Sequence, residues 1–209
     1  MPRVAESTVR RLSLYLRFLE EFEGQGIATV SSEALASRGG TTSAQVRKDL
    51  SFFGSFGKRG LGYPVPELVE QLRGILGLRQ RYRVAMIGAG KIGSALVQYR
   101  GFRQRGFDIV AIFDVDPAKI GSRWNGLTIQ DIAQLEAVVR ADPVDMAVLV
   151  TPAEAAQPLA DRLVKLGVTA ILNFAPVQLV APDDVVIKTV NLALELETLS
   201  YALHHRGTR

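Results

Sequence analysis

The sequence has no cysteine. That absence excludes a disulfide scaffold, a thiol nucleophile and a thiolate metal site, and leaves the redox compartment otherwise open. Histidine is nearly absent as well: the only two, His204 and His205, stand side by side in a basic tail at the end of the chain. Paired terminal histidines belong on a surface, so neither imidazole catalysis nor a metal centre is expected. No run of about 18 uncharged apolar residues occurs. The opening MPRVAESTVRR lacks an apolar h-region and a small-residue cleavage site, so the expectation is a cytoplasmic protein with no membrane partner.

What remains has the composition of a globular protein. With 209 residues, 47% of them hydrophobic and 22% charged, the chain has enough apolar residues for one large or two small domains, and two is the starting expectation. Its charge is uneven: residues 1–83 carry 13 Lys and Arg against 8 Asp and Glu, whereas residues 84–209 carry 12 against 13. A positive half is most simply a solvated surface. It points to nucleic acid only where the charges fall on a recognisable reader.

Val9, Leu12, Leu16 and Leu19 recur at helical spacing, with Tyr15 and Phe22 widening the stripe, so an amphipathic helix is predicted over 7–23. Ser31-Ser32 opens a short second helix broken by Gly39-Gly40, and Thr42 or Ser43 caps a third, SAQVRKDLSFF. Residues 31–53 thus have the lengths of a helix-turn-helix. In its second helix Ser43, Gln45, Arg47 and Lys48 would face outward and Val46, Leu50 and Phe53 inward. An outward arginine can read guanine bidentately and a glutamine adenine. FGSFGKRGLGY (53–63) is too rich in glycine for a helix and suits a wing, with Lys58 and Arg59 in reach of phosphates or a minor groove. Val65–Leu78 reads as a linking helix, with Leu68, Leu72, Ile75 and Leu76 on its buried side, and the basic run RQRYR (79–83) as a domain boundary.

Beyond it VAMI (84–87), IVAIF (109–113), MAVLV (146–150), AIL (170–172) and VVI (185–187) are near-continuously apolar and alternate with helical stretches. This is the pattern of strands buried on both faces of a doubly wound parallel sheet. The first leads into Gly88-Ala89-Gly90-Lys91-Ile92-Gly93, the spacing of a Rossmann dinucleotide turn. In such a turn Gly88 permits the bend, Gly90 lets backbone approach the pyrophosphate and Gly93 lets helix and strand pack closely, while the helix N-terminus offers N–H groups to the phosphates. Asp114, 21 residues after Gly93, is placed to accept hydrogen bonds from the adenosine ribose and to repel a 2′-phosphate, favouring NAD(H). A turn that binds nothing, or binds another adenine nucleotide such as coenzyme A, stays open. Thr151-Pro152 and Asn173-Phe174-Ala175-Pro176 follow two later strands toward the same crevice and suit a nicotinamide ring and its amide, although prolines also simply end strands. Beside Lys91 inside the turn and Lys165 and Lys188 at surface positions, no group suited to proton exchange with a substrate stands out. A cofactor domain without a catalytic group suits a sensor better than an oxidoreductase with an accessory helical domain.

SAQVRKDLSFFGSFGKRGLGY, IGAGKIGSAL with YRGF, FDVDPAKIG, VTP, NFAP and the terminal NLALELETLSYAL, in that order, resemble the Rex family of redox-sensing transcriptional repressors. The resemblance implies a winged-helix DNA-binding domain (1–80), a Rossmann NAD(H)-binding domain (81–190) and a terminal helix and tail (191–209) exchanged between the subunits of a homodimer. Operator DNA would be bound when NAD+ dominates and released when NADH rises, without catalysis and without a metal. FDVDPAKIG adds Val115 and Lys119 to the expected cofactor contacts. The family's redox-dependent network of arginine, tyrosine and aspartate maps onto Arg17, Tyr99 and Asn191; asparagine at 191 departs from the pattern, keeping hydrogen bonds but removing a charge, so either the switch is weakened or it relies on packing by Phe102, Leu192 and the terminal helix. Independently of the resemblance, Leu192, Leu196, Leu199 and Leu203 form a stripe at helical spacing with no later segment to cover it. Packing against the chain's own Rossmann core would be the simpler use of that stripe.

Overall fold

The computed structural model describes residues 4–57 and 60–205. They form two compact units divided between Gln80 and Arg81. The first contains α1 (Glu6–Gly24), α2 (Ser32–Gly39), α3 (Ser43–Ser51) and α4 (Val65–Ile75), with a short antiparallel pairing of β1 (Thr29–Val30) and β2 (Tyr63–Pro64). Leu12, Tyr15, Leu16, Leu19 and Phe22 of α1 pack with Leu35 of α2, Val46 and Leu50 of α3, and Val65, Leu68, Val69 and Leu72 of α4 into one core. Ser31 caps α2 by accepting from Ala34 N–H, and Thr42, not Ser43, caps α3 by accepting from Gln45 N–H.

Two helices are shorter than their patterns. The third stops at Ser51 and leaves Phe53 in a turn, still against the core. The fourth stops at Ile75, because Gly77 takes φ +72° and Leu78 N–H turns back to Arg73 O, a left-handed helix end. The glycine-rich stretch after α3 forms no helix among its described residues; Lys58 and Arg59 lie outside them. Its end is pinned at Gly62, where φ is +83° and a Cβ would lie 2.5 Å from Val30 O.

The second unit runs β3 (Tyr82–Ile87), α5 (Lys91–Gln98), α6 (Arg100–Gln104), β4 (Phe107–Asp114), β5 (Arg123–Trp124), β6 (Leu127–Asp131), α7 (Leu135–Ala141), β7 (Met146–Leu149), α8 (Ala153–Lys165), β8 (Ala170–Asn173), β9 (Val186–Thr189) and α9 (Leu192–His205). The sheet order is β5-β6-β4-β3-β7-β8-β9, parallel throughout except for the β5–β6 pair. Alternate residues serve opposite faces. Ala85, Ile87, Phe113 and Leu149 pack with Leu135 and Val139 of α7 and Leu159 and Leu163 of α8; Val84, Met86, Ile112 and Val148 pack with Val97 of α5. The chain changes direction across the sheet between β3 and β7, and in open α/β sheets the ligand crevice opens there.

The helix α9 has no buried residue. Its apolar side chains range from 54% exposed at Leu194 to 69% at Leu203, so the stripe is not used to complete its own sheet. No described helix is long and apolar enough to cross a membrane.

Candidate functional site

The crevice is built from backbone at the carboxyl ends of β3, β4, β7 and β8. Gly88 N–H donates to Phe113 O, Val150 N–H to Ile87 O and Phe174 N–H to Leu149 O, which ties the four strand ends together. Gly88 has φ +107°, and a Cβ there would lie 2.5 Å from Val150 O; one on Gly93 would lie 2.2 Å from Gly88 O. Gly90 differs: nothing lies within 4 Å of the point its Cβ would occupy. It is the N-cap of α5 and supplies no side-chain cap, so the first-turn N–H groups and the positive end of the helix face open space in which an anion fits. Lys91 and Ile92 are exposed beside it.

Asp114 ends β4 with its side chain 9% exposed. Its carboxylate accepts from Ala89 N–H at 2.6 Å and Asp116 N–H at 2.8 Å, with Lys119 Nζ at 3.5 Å. Burial pushes its pKa up, but the two backbone donors and Lys119 outweigh that and hold it below the usual carboxylate range. It is therefore an ionised acceptor with lone pairs to spare for hydroxyl donors. Val115, next in the chain, is 72% exposed and offers an apolar surface beside the acid.

Across the switch point Thr151 Oγ1 is buried without a partner, alone among the described side-chain polar atoms in that respect. An orphaned hydroxyl at a ligand mouth is what a polar ligand atom satisfies. Asn173, expected beside the nicotinamide, has its amide engaged within its own loop. It is fully buried, donates to Ala175 O and Val177 O, and accepts from Ala175 N–H. Its amide shapes the loop that holds Phe174 half-buried and Pro176 exposed. Ala89 and Ala175 are likewise buried, with N–H groups already committed to Asp114 and Asn173, so they line the crevice without a free donor. Open space at Gly90, the acid of Asp114 and the orphaned Thr151 hydroxyl together fit a dinucleotide.

In the first unit, Thr42 capping sets Ser43, Gln45, Arg47 and Lys48 on the opening turns of α3, the part of a recognition helix that meets base edges. Arg47 and Lys48 are exposed and Ser43 and Gln45 half-buried. Not all are free. Arg47 Nη1 donates to Ser32 Oγ at 2.9 Å, with Glu33 at 3.7 Å, and Gln45 Nε2 donates to Asp49 Oδ1 at 2.8 Å. The sequence reading missed Asp49, although its place between the inward Val46 and Leu50 marks it as inward-facing. It is fully buried and ion-paired with Arg11 of α1.

Arg17 is exposed on α1. Tyr99 is 58% exposed and packs edge-to-face with Phe102 at 5.2 Å between ring centroids. Asn191 Oδ1 accepts from Ala193 N–H at 3.0 Å and Leu194 N–H at 3.4 Å and so caps α9 directly before Leu192. An aspartate caps a helix equally well; the departure at 191 therefore costs the chain a charge and not a cap.

Family models match both units: residues 3–51 match a putative DNA-binding protein N-terminus and residues 79–177 a CoA binding domain. The chain is 49% identical, over 95% of its length and 96% of the relative's, to the redox-sensing transcriptional repressor Rex of Carboxydothermus hydrogenoformans. It is 46% identical to that of Streptomyces avermitilis over 95% of this chain and 79% of the relative. Among solved structures it is similar to RSP, a Rex-family repressor. RSP in complex with beta-NAD+ and operator DNA superposes with a TM-score of 0.93 at 38% identity, covering 99% of this chain and 95% of that one. RSP in complex with beta-NADH superposes at 0.90 and 37%, covering 99% and 97%.

Proposed function

The chain belongs to the Rex family of redox-sensing transcriptional repressors, and we propose that it binds operator DNA when NAD+ dominates and releases it when NADH rises. The observation that carries this reading is the near-full-length likeness to RSP, solved both with NAD+ and operator DNA and with NADH. The chain is accordingly a regulator and not an oxidoreductase. Its cofactor is NAD(H), whose nicotinamide supplies the redox signal. The match to a CoA binding domain reflects the shared Rossmann-type sheet; the 3′-phosphate of coenzyme A would bring like charge toward Asp114.

In this reading the first turn of α5, at Gly90, Lys91 and Ile92, holds the pyrophosphate, with Gly88 and Gly93 shaping the bend. Asp114 takes the adenosine ribose, with Val115 and Lys119 at its side. Thr151, Pro152, Phe174 and Pro176 line the nicotinamide end, on a loop formed by Asn173 and Ala175. Ser43, Gln45, Arg47 and Lys48, with Lys58 and Arg59 of the wing, meet DNA. Arg17, Tyr99, Phe102, Asn191 and Leu192 make up the switch, and Asn191 serves it by hydrogen bonding where the family's aspartate also supplies charge. The exposed apolar stripe of α9 supports a homodimer, and work on operator DNA puts the protein in the cytoplasm.

Asp114→Ala tests the cofactor half. It removes an ionised acceptor worth about 1.5–3 kcal/mol per hydrogen bond, so NADH affinity should fall at least tenfold. Operator binding without cofactor should persist, and release should need correspondingly more NADH. Unchanged NADH affinity would remove the ribose assignment.

Lys48→Ala tests the DNA half. Lys48 has no ion-pair partner among the described residues, so it is free to neutralise a phosphate. Its loss should weaken operator binding and lower the salt slope by about one unit, with NADH binding untouched. Arg47→Ala should also weaken operator binding. Salt titrations that superimpose for wild type and both variants would exclude α3 as the reader.

A further inference from the structure

Asp49 sits one turn after Gln45 on α3 and is 0% exposed. Its Oδ1 accepts from Arg11 Nη2 at 2.7 Å, Gln45 Nε2 at 2.8 Å and Thr8 Oγ1 at 3.4 Å. Its Oδ2 accepts from Arg11 Nε at 2.6 Å and Tyr15 Oη at 3.1 Å. Thr8, Arg11 and Tyr15 lie at helical spacing on α1, so this carboxylate pins the opening of α3 to α1. Burial raises its pKa, but the hydrogen bonds from Arg11, Gln45 and Tyr15 more than offset this, and the net direction is down. Tyr15 moves the other way, to about 12, through burial and its bond to Asp49. The carboxylate is thus ionised, and an ionised carboxylate only accepts.

The group of Gln45 facing Asp49 must then be the amide nitrogen. A side-chain amide on a helix surface is ordinarily free to flip, exchanging donor and acceptor toward whatever it reads. Here one end is tethered to a fixed charge and the flip is barred. We propose that Asp49 is a positioning residue for sequence reading: by locking the Gln45 amide it fixes Oε1 as the group presented to the major groove. Gln45 then selects a base bearing an exocyclic amino group, adenine N6 or cytosine N4, over one bearing a carbonyl there, guanine O6 or thymine O4. This rests on the operator-binding reading and adds to it the polarity of one contact. A lock of this kind acts as preorganisation does at other recognition sites, by removing alternative rotamers that tolerate the wrong partner.

The test is selection of bound sequences by the full-length chain from duplex DNA with a randomised core, with wild type, Gln45→Ala and Asp49→Asn run in parallel. If wild type enriches no sequence, the operator-binding reading itself fails. If it does, Gln45→Ala should flatten one position in each half-site, at which wild type prefers adenine or cytosine over guanine or thymine by about fivefold or more. Asp49→Asn offers the amide either a donor or an acceptor, so discrimination there should fall to within about twofold while the other positions keep their preferences. A merely structural role would weaken all positions together. A further measurement needs no variant at Asp49: with adenine at that position, replacement by 2-aminopurine, which still pairs with thymine but lacks the 6-amino group, should weaken wild type about fivefold and leave Gln45→Ala unmoved. The proposal is overturned by a guanine or thymine preference, by no position responding to Gln45→Ala, by full discrimination in Asp49→Asn, or by indifference of wild type to 2-aminopurine.

Discussion

Replacing Gly90 with valine is expected to abolish NADH binding while the protein stays folded and still binds its operator. Gly90 has φ −82° and ψ −169°, extended backbone that valine adopts readily. A Cβ there meets nothing within 4 Å, so the fold has no reason to resist. The new side chain instead fills the space before the first turn of α5, where a pyrophosphate must come within hydrogen-bond distance of backbone N–H groups. Forcing a ligand against branched carbon costs a few kcal/mol, about a hundredfold or more in affinity. Gly93→Ala belongs to the same motif and should fail differently. Its Cβ would clash with Gly88 O, a backbone atom that cannot move aside as a flexible side chain would, so it should lower the unfolding temperature before any ligand is added. NADH titration alongside thermal unfolding separates the two. A Gly90→Val variant that binds NADH like wild type would show that the cofactor does not approach this turn.

Placing glutamate at both Leu196 and Leu199 should leave a folded monomer with very weak operator binding. These leucines are 67% and 59% exposed on a helix that contributes nothing to either core, so the single chain loses little. Exposed leucine on every turn of a helix is the mark of a surface awaiting a partner, and two charges buried there without counter-charges would prevent association. A dimer engages two half-sites at once, and losing the second typically costs about 10²–10⁴ in avidity. Sedimentation or light scattering reads the mass, and gel shift the affinity. A variant that remains dimeric would show that α9 is not the association surface.

The central strands and the glycine turn are legible because each rests on local pattern, whereas the cap of α3 is narrowed only to Thr42 or Ser43. The edge strands β5 and β6 escaped because only Ile129 on β6 is buried, so no apolar run announces them. A signal was nonetheless present: Trp124 pairs with Leu127 across Asn125-Gly126, both at positive φ (48° and 86°), the favoured two-residue hairpin turn. At the site, residue types gave positions but not occupancy. Spacing sets Asn173 at the crevice without showing that its amide is engaged within its own loop, and it does not show that Asp49 gathers α1 and α3 around one charge. Both depend on what long-range folding brings alongside, which spacing does not record. In the same way the apolar stripe of α9 is visible in the sequence, whereas its exposure is a property of the fold.

Redox control of operator binding is read from the fraction of labelled operator bound by the full-length chain, at constant total NAD(H), as the NADH/NAD+ ratio is raised. A ligand moves a two-state equilibrium only by its differential affinity for the two states, so NADH must favour the DNA-free form over the DNA-bound form by more than NAD+ does. Occupancy should be high with NAD+ alone and fall progressively as NADH replaces it. Occupancy that stays level across the whole ratio, or rises with NADH, would show that the chain does not release its operator in response to NADH.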